Sequence, residues 1–328
     1  MSKLLFTIFL LLSSFSFSQD YTELDNIVRN YQDYENLEDL TFQILRDFKT
    51  GEEQVRAAFV WVTHNISYFQ SKSETFEPKE KFVYYSEYGK KYQIRKNEIK
   101  RIDQTLKTKL GVCIDYSLIL NEVCSILGFP SKIISGIAKT SIKDTSLEQL
   151  YKNHAWNAVY IDGSWQLMDP TWGATRYWDP EKNIFIRKFQ KLFFFTTPLD
   201  FLKNHFPGKS HWQLVRNPIT VKEFMASPIY YPYYFLENVK LVSDTKGIRE
   251  VIKNQELYFS FDHLPKRFSL KYSIDRSLQH KRMRVQKLQK NSYRSKLRLR
   301  KNINADTYLT IFLENKPILD FKLRPKSN

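Results

Sequence analysis

Three short segments of this 328-residue chain carry a thiol, an imidazole and a carboxylate. Cys113 lies in the segment Gly111-Val112-Cys113-Ile114-Asp115-Tyr116, His154 follows roughly 40 residues later, and Asp169 completes the set. These groups are sufficient to form a thiolate nucleophile and to use it on a carbonyl carbon. If the three side chains meet in the fold, the sequence predicts acyl-transfer chemistry at Cys113.

An apolar run after Cys113 predicts a helix that ends near Gly128-Phe129-Pro130, where glycine and proline are strong stop signals. The unpaired N–H groups and the dipole at the start of this helix favour a thiolate at Cys113 and offer donors to an oxyanion. Cys124 lies among apolar residues of the same helix, so we expect a buried core residue. About 16 Å of helix would separate the two sulfurs, and we expect no disulfide.

A hairpin is expected to bring the imidazole and the carboxylate together. Asp162-Gly163 is a preferred two-residue type I′ turn, and the resulting register places Asp169 opposite Trp156. His154 and Asp169 then become diagonal neighbours on one face, roughly 7–8 Å apart at the backbone. One ring nitrogen of His154 could bond Asp169 while the other points away, as an oriented base requires.

The pattern of elements predicts an α+β chain with a helical and α/β body followed by a small all-β, Ig-like sandwich. Residues Tyr21–Phe48 are expected to form one helix, Val55–Ile66 another, and Lys132–Ala138 a strand. The later strands are expected at Glu256–Phe261, Arg267–Ile274, Tyr293–Arg300 and Thr307–Leu323, the last with a hairpin turn at Glu314-Asn315-Lys316-Pro317. The predicted domains are 1–18, 19–238 and 239–328.

The first 18 residues have the pattern of a secretory signal peptide. Lys3 precedes an apolar run over Leu4–Leu12, and Ser16 and Ser18 suit the cleavage positions. Cleavage between Ser18 and Gln19 would give an exported, periplasmic or extracellular protein. Since no later segment approaches ~18 apolar residues, we expect no transmembrane segment after removal of the signal.

The net charge of +16 is concentrated at the C-terminal end. Residues 265–328 contain 18 Lys and Arg against 4 Asp and Glu. Four basic residues alternate with uncharged ones in Arg294, Lys296, Arg298 and Arg300, which predicts a cationic face on one strand. This face could bind an acidic envelope polymer, or it could be a solvated surface without a partner. Nucleic acid is not expected as the partner, because an exported protein seldom meets it.

Several motifs resemble the transglutaminase-like superfamily, closest to the branch named after kyphoscoliosis peptidase. The resemblance covers about residues 50–235, and its motifs include Gly111-Val112-Cys113, Asn153-His154-Ala155-Trp156-Asn157, Asp169-Pro170-Thr171-Trp172-Gly173 and Asn204-His205-Phe206-Pro207. It implies a papain-like core, in which a helix bearing Cys113 packs on an antiparallel sheet. It also implies Cys113 as nucleophile, His154 as base and Asp169 as orienting residue, acting on a protein or peptide amide without cofactor.

Asp115 departs from the small residue that the family usually has before the tyrosine. Its charge could attenuate the thiolate or recognise a cationic substrate group. Further candidates for substrate contact are Tyr116 and Trp156, although core packing is an alternative for Trp156, and Gln104 is a candidate oxyanion donor. His205 and His211 are interpreted as structural, and no cysteine or histidine cluster has metal-ligand spacing.

Two functional hypotheses remain open from the sequence. One is a secreted thiol enzyme, a peptidase or transglutaminase-like acyl transferase. The other is a catalytically silent binding protein that is held in the cell envelope by its basic end. Spacing does not decide between hydrolysis and cross-linking, because that outcome depends on the shape of the groove.

Overall fold

The computed structural model describes residues 20–69, 85–139, 141–143, 152–174, 176–179, 184–242, 246–275, 277–289, 291–300 and 302–326. The predicted signal segment therefore lies outside the described residues. A mixed body of helices and strands is followed by an all-β region, which confirms the predicted α+β class. None of the helices among these residues combines the length and the apolar character that crossing a membrane would need.

The body begins with helices and then adds strands around one of them. Its helices are α1 (Thr22–Arg29), α2 (Leu37–Asp47), α3 (Gly51–Asn65), α4 (Glu87–Thr108), α5 (Cys113–Ile126), α6 (Pro170–Gly173), α7 (Pro198–Phe201) and α8 (Val221–Ala226). Its strands are β1 (Ser67–Tyr68), β2 (Leu110–Gly111), β3 (Ser131–Ala138), β4 (His154–Ile161), β5 (Ser164–Met168), β6 (Arg176–Asp179), β7 (Ile184–Arg187) and β8 (His205–Pro207).

The single helix expected over Tyr21–Phe48 is wrong, because the chain forms α1 and α2 with a break between them. The side chain of Asn36 accepts hydrogen bonds from the N–H groups of Glu38 and Asp39 and so begins the second helix. The other expected elements of the body are confirmed as α3, α5 and β3.

The helix that bears Cys113 packs on an antiparallel sheet with the strand order β5-β4-β3-β8. The predicted turn at Asp162-Gly163 is confirmed, and both of its residues have a positive φ, which a type I′ turn requires. The predicted register holds as far as Met168, which lies opposite Asn157. The amide of Asn157 also donates to the carbonyl oxygen of Ser117 at 2.9 Å, which ties β4 to α5.

A second core belongs to the all-β region, which contains α9 (Pro232–Leu236), β9 (Ile229–Tyr230), β10 (Lys240–Leu241), β11 (Ile248–Val251), β12 (Glu256–His263), β13 (Leu270–Ile274), β14 (Lys281–Arg282), β15 (Arg284–Gln289), β16 (Ser292–Arg298), β17 (Thr307–Leu313) and β18 (Lys316–Pro325). One sheet has the order β10-β12-β16-β15 and the other β11-β18-β17-β13-β14, with β9 added to β18. Phe259 and Phe321 pack between the sheets, with ring centroids 4.8 Å apart.

The expected strands of this region are present, and the last hairpin turns at Glu314-Asn315. Tyr234 of α9 packs in the hydrophobic core of this region. Arg294 and Arg298 are exposed on β16, where they alternate with the buried Ser295 and Leu297. The sequence pattern therefore predicted the outer face of this strand correctly.

Gly136 allows the closest approach of strands near the site. It lies in β3 between His154 of β4 and Pro207 of β8. A Cβ atom at Gly136 would lie 2.3 Å from the carbonyl oxygen of Phe206 and 2.4 Å from the Trp156 ring. Strand β8 can therefore reach the site only because residue 136 has no side chain.

We expect Gly136→Ala to lower the free energy of unfolding by about 1–3 kcal/mol, because β8 or the Trp156 ring must shift. Urea unfolding measures the loss. Gly89→Ala is the matched control, since Gly89 lies in the first turns of α4 with only the Ser86 hydroxyl nearby, at 3.3 Å. In that helix alanine should be neutral or stabilising. Equal stability of the two variants would contradict the close packing at Gly136.

Candidate active site

Cys113 is the first residue of α5, as the sequence predicts, and its side chain is buried. The segment before it is held by a short parallel pairing in which Gly111 lies opposite Tyr68. A Cβ atom at Gly111 would lie 2.8 Å from the Cβ of Asp115, so a side chain there would strain the start of the helix. These contacts fix the thiol at the end of the helix where N–H groups lack intrahelical acceptors.

His154 and Asp169 meet as the hairpin predicts, with His154 Nε2 at 2.7 Å from Asp169 Oδ2. The expected strand position of Asp169 opposite Trp156 is wrong, because the pairing of β4 with β5 ends at Met168. Asp169 instead begins α6, where its Oδ1 accepts the N–H groups of Thr171 and Trp172. Pro170 has no N–H for a strand ladder and suits the first position of a helix.

The buried imidazole of His154 is held as a cation. Burial opposes its charge, but the charge and the hydrogen bond of Asp169, together with the contact with Cys113, outweigh burial and raise the pKa of His154 to about 10. Burial likewise disfavours the carboxylate, yet His154 and His205 hold the pKa of Asp169 well below its usual range. Since Nε2 faces Asp169, Nδ1 is the ring nitrogen that is left for the thiol.

His205, which the sequence analysis interpreted as structural, is part of this network. His205 lies at the start of β8, and its Nε2–H donates to Asp169 Oδ2 at 2.9 Å. Burial is the largest influence and lowers the pKa of His205, although Asp169 opposes it, so the imidazole is neutral at pH 7. The one sequence signal was the motif Asn204-His205-Phe206-Pro207, since spacing does not connect β8 with the hairpin.

Aromatic rings surround the two imidazoles. Phe201 stacks on His205 with ring centroids 4.1 Å apart, and Trp172 lies 4.5 Å from the same imidazole. Trp156 packs edge-on against His205 at 5.2 Å and is almost completely buried. Trp156 therefore has the packing role that the sequence left as an alternative to substrate contact. The apolar enclosure strengthens each hydrogen bond to Asp169.

Asp115 is occupied by contacts within the chain. Its Oδ1 accepts from Arg101 Nε at 2.8 Å and lies 2.6 Å from Arg101 Nη2. Its Oδ2 accepts the N–H of Val112 at 2.9 Å, at the start of α5. Asp115 therefore orders the turn that bears Cys113, and the guanidinium of Arg101 offsets its charge.

Of the two remaining candidates, Tyr116 anchors a helix and Gln104 lies on the surface. The Tyr116 hydroxyl donates to the carbonyl oxygen of Ile66 at 2.8 Å and anchors α5 to the end of α3. Gln104 lies exposed on α4. The sequence pattern did not indicate Tyr68 as a residue of the site. It is 43% exposed, and burial, followed by the charges of Cys113, Asp169 and Asp115, raises the pKa of its hydroxyl.

Three ligand atoms of the site could hold a metal ion, namely Nε2 of His154, Oδ2 of Asp169 and Nε2 of His205. They all lie within 4.8 Å of one another. Sequence spacing alone did not reveal this grouping, because β8 brings its third member. Both imidazoles already bond the same carboxylate oxygen, so the atoms form a closed hydrogen-bond network without an ion.

Parts of the chain are similar to known proteins. Residues 38–170 match the family model of the transglutaminase-like superfamily. Human kyphoscoliosis peptidase is 26% identical over 207 residues, which are 63% of this chain and 28% of that protein. Hillarin of Drosophila melanogaster is 26% identical over 144 residues, or 40% of this chain and 18% of hillarin. The chain thus spans less than a third of either relative.

One solved structure, described as that of a TGase, is similar over 49% of this chain and 35% of its own. The identity is 13% and the TM-score is 0.25.

We expect His205→Ala to lower the free energy of unfolding at pH 7.5 by about 2–4 kcal/mol, because a cavity forms and Asp169 loses a donor. The difference in the free energy of unfolding between His205→Ala and the wild type should shrink as the pH falls. The pKa of His205 is lowered in the native protein, so the stabilisation from the neutral imidazole is present above the pKa of an unfolded histidine, about 6.5, and is lost as the pH falls below it.

Urea unfolding at pH 5 and pH 7.5 measures this gap. His205→Gln is the matched variant, since its amide can place a donor where Nε2 lies and does not titrate. It should retain more stability than His205→Ala at pH 7.5. A gap of equal size at both pH values would mean that His205 only fills space.

We expect Arg101→Gln to slow alkylation of Cys113 about three- to tenfold, because the uncovered carboxylate of Asp115 disfavours a thiolate on the same helical turn. The rate of reaction with iodoacetamide at pH 7 measures this. Adding Asp115→Asn to Arg101→Gln removes the uncovered charge and should restore the rate. No recovery in the double variant would show that Arg101 acts by packing instead.

Proposed function

We propose that the chain performs thiol-dependent acyl transfer on a peptide or protein amide, and the match of residues 38–170 to the transglutaminase-like family model supports this. The observation that carries this proposal is the series of contacts from Asp169 to His154 and from His154 to Cys113. In this series a buried imidazolium faces the thiol at the start of α5. A thiolate beside a cationic imidazole is the activated form of a cysteine nucleophile.

The proposed reaction has two steps. The Cys113 thiolate attacks the amide carbonyl and forms a C–S bond, and His154 gives its proton to the amine as the C–N bond breaks. Water or a second amine then attacks the thioester, gives a proton to His154 and releases the thiolate. Asp169 remains ionised throughout and holds the imidazole.

The oxyanion formed in each step would lie at the start of α5. The N–H group of Cys113 has no intrahelical acceptor in that position, which makes it a donor to the oxyanion. The hydroxyl of Tyr68 is the second candidate donor, because it lies close enough to Cys113 for the thiolate charge to affect its pKa. Tyr68 would thus fill the role that was expected of Gln104.

The contacts of Asp115 favour the enzyme over a catalytically silent binding protein. The doubt about activity arose from a carboxylate two residues from the nucleophile. Since Arg101 covers that carboxylate, the thiolate does not face an uncompensated negative charge. The predicted cleavage between Ser18 and Gln19 would place the activity outside the cytoplasm.

Alkylation with two reagents of different charge tests the proposal. We expect Cys113 to react at neutral pH. While His154 is protonated, the ratio of the rate with iodoacetate to the rate with iodoacetamide should be raised. The pKa of His154 is raised, so this preference should persist above pH 6.5 and disappear as the pH rises through about 10. Mass spectrometry locates the adduct and gives both rates.

Cys124 serves as the internal reference, because burial raises its pKa to about 12 and keeps the thiol inert in the native protein. His154→Gln should lower the rate at Cys113 and make the preference for iodoacetate independent of pH. If native Cys113 reacts no faster than in the denatured chain, or if His154→Gln leaves its rate unchanged, the thiolate–imidazolium pair is absent. The silent binding protein would then be the better description.

A further inference from the structure

A concave cationic site lies in the all-β region and shares no residue with the candidate active site. This cationic pocket has a volume of about 440 Å³, and its basic lining residues are Lys281, Arg282, Arg284, Lys296, Arg298 and Arg300. We propose that the pocket binds a segment of an acidic polysaccharide through sulfate or phosphate ester groups on the sugar chain. The proposal does not depend on acyl transfer at Cys113.

The pocket forms where the chain crosses from one sheet to the other. Arg282 ends β14 in one sheet, and Arg284 begins β15 in the other. Met283 lies between them and is buried, so it fixes the crossing while both arginines remain exposed. Since β14 and β15 both end their sheets, the two guanidinium groups lie at an open edge of the sandwich.

Basic residues lie directly opposite each other around this edge. Arg284 pairs with Lys296 across β15 and β16, and Lys271 pairs with Arg282 across β13 and β14. Like charges in directly opposed positions destabilise a sheet. A bound anion would remove this repulsion, so the arrangement costs stability in the free protein and favours binding.

The chain offers little internal compensation for these charges. Glu256 is the one acidic residue in the lining, and it bonds Lys296 at 3.2 Å. Within the described ranges, no carboxylate forms an ion pair with Arg282, Arg284 or Arg300. Arginine guanidinium groups bind sulfate and phosphate oxygens with two parallel hydrogen bonds, which suits these three residues to ester oxyanions.

The shape of the charged surface favours a polymer over a single ion. The basic residues continue from the pocket along the outer face of β16 to Arg294, two residues beyond Lys296. A strand advances about 3.4 Å per residue, so these charges repeat about every 7 Å in a row, which suits an extended polyanion better than a single ion. Tyr272 is the one aromatic residue of the lining and is partly buried, so the pocket has no platform on which nucleic acid bases could stack.

Binding of a fluorescent heparin oligosaccharide to the full chain, followed by anisotropy at low salt, tests the proposal. We expect Arg284→Glu with Arg298→Glu to weaken binding at least about tenfold and to reduce the salt dependence. Lys266→Glu with Arg267→Glu is the matched control, because both residues are exposed in the same region outside the pocket and the change in net charge is the same. The control should weaken binding less than about threefold.

Two measurements keep the test independent of folding and of catalysis. Arg284→Gln removes a like-charge pair, so it should unfold at the same or a higher temperature than the wild type while it binds heparin more weakly. The alkylation rate of Cys113 should not change in any pocket variant, so the proposal and the acyl-transfer hypothesis can fail separately.

Three outcomes would overturn the proposal. Equal losses in the pocket variant and the control would show that net charge alone attracts the polymer. Free sulfate or phosphate can be added at the concentration of oxyanion groups that the polymer supplies. If it displaces heparin better than chloride of the same ionic strength does, the pocket is a site for single ions. Single-stranded DNA that binds more tightly than heparin and depends on the same arginines would indicate a nucleic acid partner.

Discussion

The architecture of the body depends on one completely buried carboxylate, that of Asp169. One of its oxygens accepts two backbone N–H groups at the start of α6, and the other accepts from two imidazoles. A buried ion is tolerated only when it is fully hydrogen-bonded, so the donors must be supplied before the core can close. This requirement brings β8 to β4 and α6, although several other elements separate β8 from them in the sequence.

The two histidines on that carboxylate differ in charge because they differ in what else they touch. His154 contacts the thiol and the full charge of Asp169, and it is held as a cation. His205 is enclosed by Phe201 and tryptophan rings, and it remains neutral. The same carboxylate oxygen therefore supports one group that can move a proton and one that holds the acceptor in place. This division of roles needs no metal ion.

Local signals were sufficient for the parts of the site that depend on local structure. The stop signal at Gly128 predicted the helix that begins at Cys113. The Asp162-Gly163 turn predicted the register that brings His154 to Asp169. Pro170 was a local signal for α6, since a proline after an aspartate marks a helix start. A similar signal, Asn36, marked the break between α1 and α2.

The contacts of Arg101 and His205 could not be derived in the same way. Each joins elements that have no fixed register in the sequence, so its partner is decided only when helices and sheets pack. Asp115 shows the consequence, because its charge next to the nucleophile looked unfavourable until the packing of α4 supplied Arg101. Charge near a reactive residue can be interpreted only together with the tertiary contacts that compensate it.

The pairing of β9 with β18 has a consequence for how the two parts of the chain can be separated. Ile229 and Tyr230 cover one edge of the C-terminal sheet, and Tyr234 fills its core. A fragment that starts at residue 239 would leave the β18 edge without this partner, and open sheet edges promote association between chains. The natural unit for exchange or duplication of the sandwich therefore includes the segment that leads out of the mixed α/β body.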